Sequence, residues 1–195
     1  AVLSDFQIIS ETEYQVSATL TPDTVSVFQV VANAAVDAIN NPSAASEFLR
    51  IRQDSQIPIV QLNSSINQPT NLQSFKLTLE STESIADFNG SDFEVTNANI
   101  LKIENLYEDA DHPLFRRFFE ITLQADASGP VNIQTKSNSI FDIAGNPSSV
   151  SNTINIDVDL DAPQITITSD GGDIVNTDLV SFTLAANEAI QAPQV

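Results

Sequence analysis

The chain of 195 residues contains no cysteine, methionine or tryptophan, and it has seven basic against 26 acidic residues. Without cysteine, neither disulfides nor thiolate-ligated metal sites can form. The net charge of −19 repels nucleic-acid phosphates and anionic lipids, so no nucleic-acid partner is expected. No apolar run approaches the roughly 18 residues of a membrane helix, so no membrane insertion is expected either. Hydrophobic residues nevertheless make up 42% of the sequence, which favours folded cores over disorder.

The sequence has a β texture. Val, Ile, Thr and Phe alternate with polar residues in short runs, and Pro, Gly, Asn and Asp separate the runs. This alternation predicts strands with one buried face near 59–64, 73–80, 92–97, 99–106, 115–124, 131–136 and 153–159. Seven such strands favour an all-β fold, an antiparallel β-sandwich of immunoglobulin type. Its predicted core consists of Phe75, Phe93, Phe118 or Phe119, Leu123, Ile133, Ile143 and Ile156.

Two landmarks recur at one spacing. Asn41-Pro42 returns as Asn146-Pro147, and Pro58 returns as Pro163, each 105 residues later. Agreement between independent landmarks indicates an internal repeat. Ser4-Asp5-Phe6 also matches Ser91-Asp92-Phe93, at a spacing of 87. The two spacings differ by 18 residues, which predicts an insertion near 103–117 in the second copy.

The repeat predicts tandem modules. Residues 1–57 are the later part of one module, 58–162 a complete module with the insertion, and 163–195 the first strands of the next. Neither terminal portion has enough strands to cover its own apolar face. Together they would make one module, so we expect neighbouring copies of the repeat as partners, head to tail, by covalent continuation or noncovalent docking. An ordinary cut from a longer protein is the alternative.

Four motifs, taken from two copies of the repeat, mark successive positions along one module. They are Pro163-Gln-Ile-Thr-Ile-Thr-Ser169, Asn187-Glu-Ala-Ile190, Gly90-Ser-Asp-Phe93 and Asp142-Ile-Ala-Gly-Asn-Pro-Ser148. They resemble the bacterial Ig-like repeats of giant surface adhesins and biofilm proteins. The resemblance implies a non-enzymatic structural segment, a rod or spacer in an extracellular or cell-surface fibre. The alternative is a carbohydrate- or ligand-binding accessory module of an exported protein. Such a module would need exposed aromatics on one face, and only Tyr14 and Tyr107 are available, with no Trp, which disfavours it.

One acidic strand is the candidate metal site. Alternation from Asn155 to Asp161 places Asp157, Asp159 and Asp161 on one face. Aligned carboxylates repel each other unless solvent or a cation screens them, and Ca²⁺ prefers such oxygen ligands. The resemblance implies calcium at a module junction, where it would stiffen a rod. The alternative is a solvated acidic edge strand that prevents aggregation.

The matching strand of the first copy is basic. Arg50 and Arg52 stand where the later strand has Asn155 and Asp157, so this junction is not expected to hold a cation in the same way. The basic strip is predicted to meet an acidic strip of a neighbouring strand laterally. Arg116 and Arg117 of the insertion are further predicted interface residues, because loops on a rigid sandwich often carry binding.

The sequence predicts no catalytic site. His112, the only histidine, lies in the acidic insertion and precedes a proline. A catalytic or metal-binding histidine needs a convergent partner, and the sequence nominates none. We therefore expect that the chain is not an enzyme.

Overall fold

A computed structural model describes residues 1–171, 174, 176 and 178–191. The fold is all-β, as predicted, and the named strands pair antiparallel. The strands are β1 Val2–Ile8, β2 Tyr14–Thr19, β3 Val25–Phe28, β4 Leu49–Arg52, β5 Val60–Asn63, β6 Ser74–Ser81, β7 Phe93–Thr96, β8 Ala98–Asn105, β9 Phe118–Ala125, β10 Gly129–Thr135, β11 Ile154–Val158, β12 Ile165–Ser169 and β13 Phe182–Ala186.

The middle of the chain has a four-stranded sheet, in the order β5-β6-β9-β8, and a three-stranded sheet, in the order β11-β10-β7. Buried side chains alternate with exposed ones along β6 and with mostly half-buried ones along β9 and β10. The buried side chains of both sheets form one hydrophobic cluster. This is the arrangement of two packed sheets that the seven predicted strands indicated, and each strand lies within a few residues of its predicted position.

The predicted core is largely correct. Phe75, Phe93, Phe119, Leu123, Ile133 and Ile156 are buried. The prediction that Ile143 belongs to the core is wrong. Ile143 is 67% exposed, whereas Ile140 is fully buried. The reason is local, because Ile143 sits in the tight turn that Asp142 and Asn146 close, and this turn projects its side chain away from the sheets.

The N-terminal strands form two separate pairs, β1-β2 and β3-β4. In the β3-β4 pair, Val25 lies opposite Arg52 and Phe28 lies opposite Leu49. In the β10-β11 pair, Pro130 lies opposite Asp157 and Ile133 lies opposite Ile154. Each residue of the first pair is 105 positions before its counterpart, so the two hairpins share one register.

The C-terminal pair β12-β13 repeats the β5-β6 pair in the same way. Ile165 lies opposite Ala186, as Val60 lies opposite Ser81. The hydrogen bonds at the end of the pair also recur. The Gln164 amide donates to Asn187 Oδ1 at 2.7 Å, and the Ile59 amide donates to Thr82 Oγ1 at 3.0 Å.

Strand β1 takes a different place from the one that its sequence match indicated. Leu3 lies opposite Ala18, as Ile100 lies opposite Leu123. Strand β1 therefore corresponds to β8 at a spacing of 97, and not to β7 at a spacing of 87. The connection 106–117 between β8 and β9 is still longer than the connection 9–13 between β1 and β2, but by fewer residues than the predicted 18.

The terminal strands differ from their counterparts in burial. Val16 is 52% exposed, whereas its counterpart Ile121 is fully buried. Phe182 is 64% exposed, whereas its counterpart Leu77 is 2% exposed. The central strands have a second sheet over their apolar face, whereas β1, β2, β12 and β13 show theirs to solvent. Apolar faces of this size are uncommon on isolated soluble domains.

Candidate functional site

The loop 142–148 positions one buried carboxylate. Asp142 is only 3% exposed. Its Oδ1 accepts a hydrogen bond from the Asn146 amide at 2.8 Å, and its Oδ2 accepts one from Asn146 Nδ2 at 2.8 Å. Gly145 takes a φ of 93° within this turn, a conformation that favours glycine because it has no Cβ. The turn therefore fixes the carboxylate of Asp142 at the edge of the sandwich.

Two further carboxylates meet Asp142 at this edge. Oxygen atoms of Asp54, Glu83 and Asp142 all lie within 4.8 Å of one another. Asn146 Nδ2 also donates to the carbonyl of Asp54 at 3.2 Å, which ties the chain before the sandwich to its loop. We call Asp54, Glu83 and Asp142 the carboxylate triad. Such a set of oxygens suits a divalent cation such as Ca²⁺.

The electrostatics of the triad are those of crowded acids. Burial raises the pKa of Glu83, and the charges of Asp142 and Asp54 raise it further, while Arg52 and Arg117 oppose the rise. Arg52 also pairs with Asp54 at 3.3 Å. The triad lines an open cleft of about 560 Å³ together with both arginines. Arg52 and Arg117 thus offset part of the negative charge of the carboxylate triad, and a bound cation would offset the rest.

The predicted metal ligands do not all lie together. Asp159 and Asp161 line a second open cleft, of about 1030 Å³, together with Glu188. The Asp161 amide donates to Asp159 Oδ1 at 3.1 Å. Asp157 is exposed on β11 and is not among the residues that line this cleft. Oε1 of Glu188 is buried and has no hydrogen-bond partner among the described residues.

One pair of acidic residues recurs in the two clefts at the spacing of 105 residues. Asp159 corresponds to Asp54, and Glu188 corresponds to Glu83. The sequence did not predict the triad, because Arg50 and Arg52 indicate a junction that would not hold a cation. Glu83-Ser-Ile85 matches Glu188-Ala-Ile190 at the same spacing of 105 residues, and this match is the sequence signal for the two glutamates. Contact with Asp142, which is distant in sequence, was visible only in the fold.

The predicted interface arginines have different surroundings. Arg116 Nε donates to the Ile85 carbonyl at 2.7 Å, and its Nη2 donates to Asp87 Oδ1 at 2.5 Å. Arg117 Nε donates to the Ser81 carbonyl at 3.0 Å. These two side chains therefore fasten the insertion to the sandwich. Arg50 and Arg52 lie on the exposed strand β4.

His112 is held within its own loop. Its ring stacks on Tyr107 with centroids 4.4 Å apart, and its Nδ1 accepts a hydrogen bond from the Leu114 amide at 3.1 Å. Tyr107 packs edge-on against Phe118 of β9. These contacts order the insertion, and His112 covers one face of the Tyr107 ring.

Within the described part of the chain, no helix is long and apolar enough to cross a membrane. Comparisons with family models, with curated proteins and with solved structures give no match.

Proposed function

We propose that this chain is a structural, non-enzymatic segment of a bacterial extracellular or cell-surface fibre or adhesin. Its Ig-like modules would follow one another along the chain and act as a rod or spacer. One observation carries the proposal: strand registers on both sides of the central sandwich repeat its own registers at a spacing of 105 residues. In arrays of this kind, stability comes from each module and from contacts between neighbours.

The connection into the central sandwich supports a stiff rod. Pro58 is fully buried. Asp23 Oδ1 accepts a hydrogen bond from the Ser55 amide at 2.8 Å, and its Oδ2 accepts one from Gln56 Nε2 at 2.8 Å. These bonds lower the pKa of Asp23, with the Ser55 amide as the largest cause. A linker fixed in this way leaves little freedom for bending between modules.

A calcium ion at the carboxylate triad would stiffen this junction further. Asp54 comes from the chain before the sandwich, whereas Glu83 and Asp142 belong to the sandwich itself. An ion bound to all three would therefore connect the two parts. At the next junction, Asp159 and Glu188 are the counterparts of Asp54 and Glu83 and would offer two of the equivalent oxygens, with Asp161 lining the same cleft.

Single-molecule stretching tests the load-bearing role. A chain held at both ends should show one cooperative unfolding event for residues 58–162, releasing roughly 350 Å of contour length. Extension without a force peak would contradict the proposal. A glycan array serves as the contrasting test, because binding through the loop 106–117 would favour the ligand-binding accessory module instead.

Melting with and without EDTA tests the calcium proposal separately. Calcium should raise the melting temperature of the unmodified chain and have a smaller effect on Glu83→Gln. The matched control is Glu108→Gln, since Glu108 is exposed and outside the triad. An unchanged melting temperature in EDTA would remove calcium from the account and leave the rod proposal standing.

A further inference from the structure

The terminal strand pairs carry complementary halves of one sandwich. Strand β13 pairs only with β12, and β2 pairs only with β1, among the described strands. Their counterparts β6 and β9 are direct neighbours in the four-stranded sheet. Each terminal pair therefore has an open edge at the position where the central sandwich continues its sheet.

The register between these edges can be read from the central sandwich. Leu77 lies opposite Ile121, and Leu79 lies opposite Phe119. The counterparts of Leu77 and Leu79 on β13 lie 105 residues later, and the counterparts of Ile121 and Phe119 on β2 lie 105 residues earlier. The two pairs therefore become Phe182 opposite Val16 and Leu184 opposite Tyr14. All four side chains are large, apolar or aromatic, and at least half exposed. The two strands thus match in residue type as well as in position.

We propose that β13 of one copy of this chain adds antiparallel to β2 of a second copy, with Phe182 opposite Val16. This inference rests on the proposed modular function and names the interface that joins copies. The joined sheet would have the order β12-β13-β2-β1, with the last two strands from the second copy. The β3-β4 pair of the second copy would cover it, as β10 and β11 cover the central sheet.

The occupant is a second copy because the required strands are present in this chain. A foreign partner would need its own strand of matching register and apolar pattern. Strand β13 already repeats the register of β6, and β2 repeats that of β9. Strand addition also satisfies the unpaired backbone groups that open edges present. The joined module would contain six of the seven central strands, since β7 has no counterpart among the described strands.

Disulfide trapping tests the register, and the chain has no cysteine of its own to interfere. Two single variants, Gln15→Cys and Thr183→Cys, are mixed under glutathione redox buffer. Their counterparts, Glu120 and Thr78, lie directly opposite each other. Such pairs have Cα atoms about 4.5–5.5 Å apart, within the range for a disulfide. We expect a mixed disulfide between the two variants as the main cross-linked product.

The matched control replaces Gln15→Cys by Ser17→Cys, which shifts the pair by two residues. Diagonal neighbours of this kind are about 7–8 Å apart, so cross-linking should fall severalfold. Equal cross-linking in both mixtures would overturn the register.

Sedimentation velocity of the unmodified chain tests the association itself. Self-association should increase with protein concentration, and Leu184→Asp should abolish it. The control Leu101→Asp should retain it, because Leu101 is an equally exposed leucine on β8 of the central sandwich and belongs to neither β13 nor β2. A chain that stays monomeric at all concentrations would overturn the inference. Unfolding of residues 58–162 under force would then still support the rod.

Discussion

Asp142 binds Asn146 through the same two hydrogen bonds that connect Asp37 to Asn41. The carboxylate oxygens accept from the asparagine amide at 2.8 and 2.9 Å, and from its side-chain nitrogen at 2.8 Å in both copies. Asn40 replaces Gly145 and takes the same left-handed conformation, with φ of 67° against 93°. The turn is therefore determined by the aspartate and asparagine, and it tolerates loss of the glycine.

This pair of turns gives the first prediction. Asp142→Ala should lower the free energy of unfolding of the central sandwich by about 2 kcal/mol, because it removes both hydrogen bonds to Asn146 and leaves the half-buried Asn146 amide without its carboxylate partner. Asp37→Ala should change that transition by less than about 0.5 kcal/mol, since its turn is exposed. Urea unfolding followed by circular dichroism measures both. Equal losses would show that the N-terminal turn belongs to the same cooperative unit.

A second matched pair tests the difference in burial. Ile121→Ala should destabilise the central sandwich by about 2–5 kcal/mol, as a cavity in a closed core does. Val16→Ala occupies the equivalent position on β2 and should have almost no effect in dilute solution. Thermal or urea unfolding at low protein concentration makes the comparison. A large loss from Val16→Ala in a monomeric sample would mean that β2 is already covered within one chain.

The carboxylate triad predicts a pH dependence. Glu83 has a raised pKa in the folded state, chiefly because of burial, so the folded state binds its proton more tightly than the unfolded state does. Its ionisation therefore lowers stability above the folded pKa, and this penalty disappears below the unfolded value of about 4.5. In EDTA, Glu83→Gln should raise the melting temperature at pH 7 and change it little near about pH 4. Glu108→Gln, the exposed control, should show no such difference, and a Glu83→Gln variant that melts lower at pH 7 would contradict the assigned pKa direction.

Salt separates the two modes of association that the sequence suggests. Two copies that each carry a net charge of −19 repel one another. If exposed apolar faces drive association, raising NaCl from about 10 to about 150 mM should tighten it, because the screening length falls to about 8 Å. Lateral pairing of Arg50 and Arg52 with an acidic strip would weaken instead. Sedimentation at the two salt concentrations decides between them.

Much of the fold could be predicted from local pattern. Alternation located the central strands, and residue type located most of the core, because both depend on which face of a strand is buried. Ile143 was misplaced because a turn, and not a strand, determines its direction. Strand β1 was matched with β7 on the strength of the Ser-Asp-Phe motif. Its pairing with β2, which shows that it corresponds to β8, is visible only in the structure. The triad escaped prediction because Asp54 and Asp142 meet through tertiary contact.

Hydrogen–deuterium exchange on the whole chain, at two protein concentrations, tests the central claim most directly. The account predicts strong protection of β5 to β11 in dilute solution, together with weak protection of β1 to β4 and of β12 and β13. At high concentration β2 and β13 should gain protection together. Equal protection of all strands in the dilute monomer would contradict the claim that the terminal strands are unfinished parts of a shared sandwich.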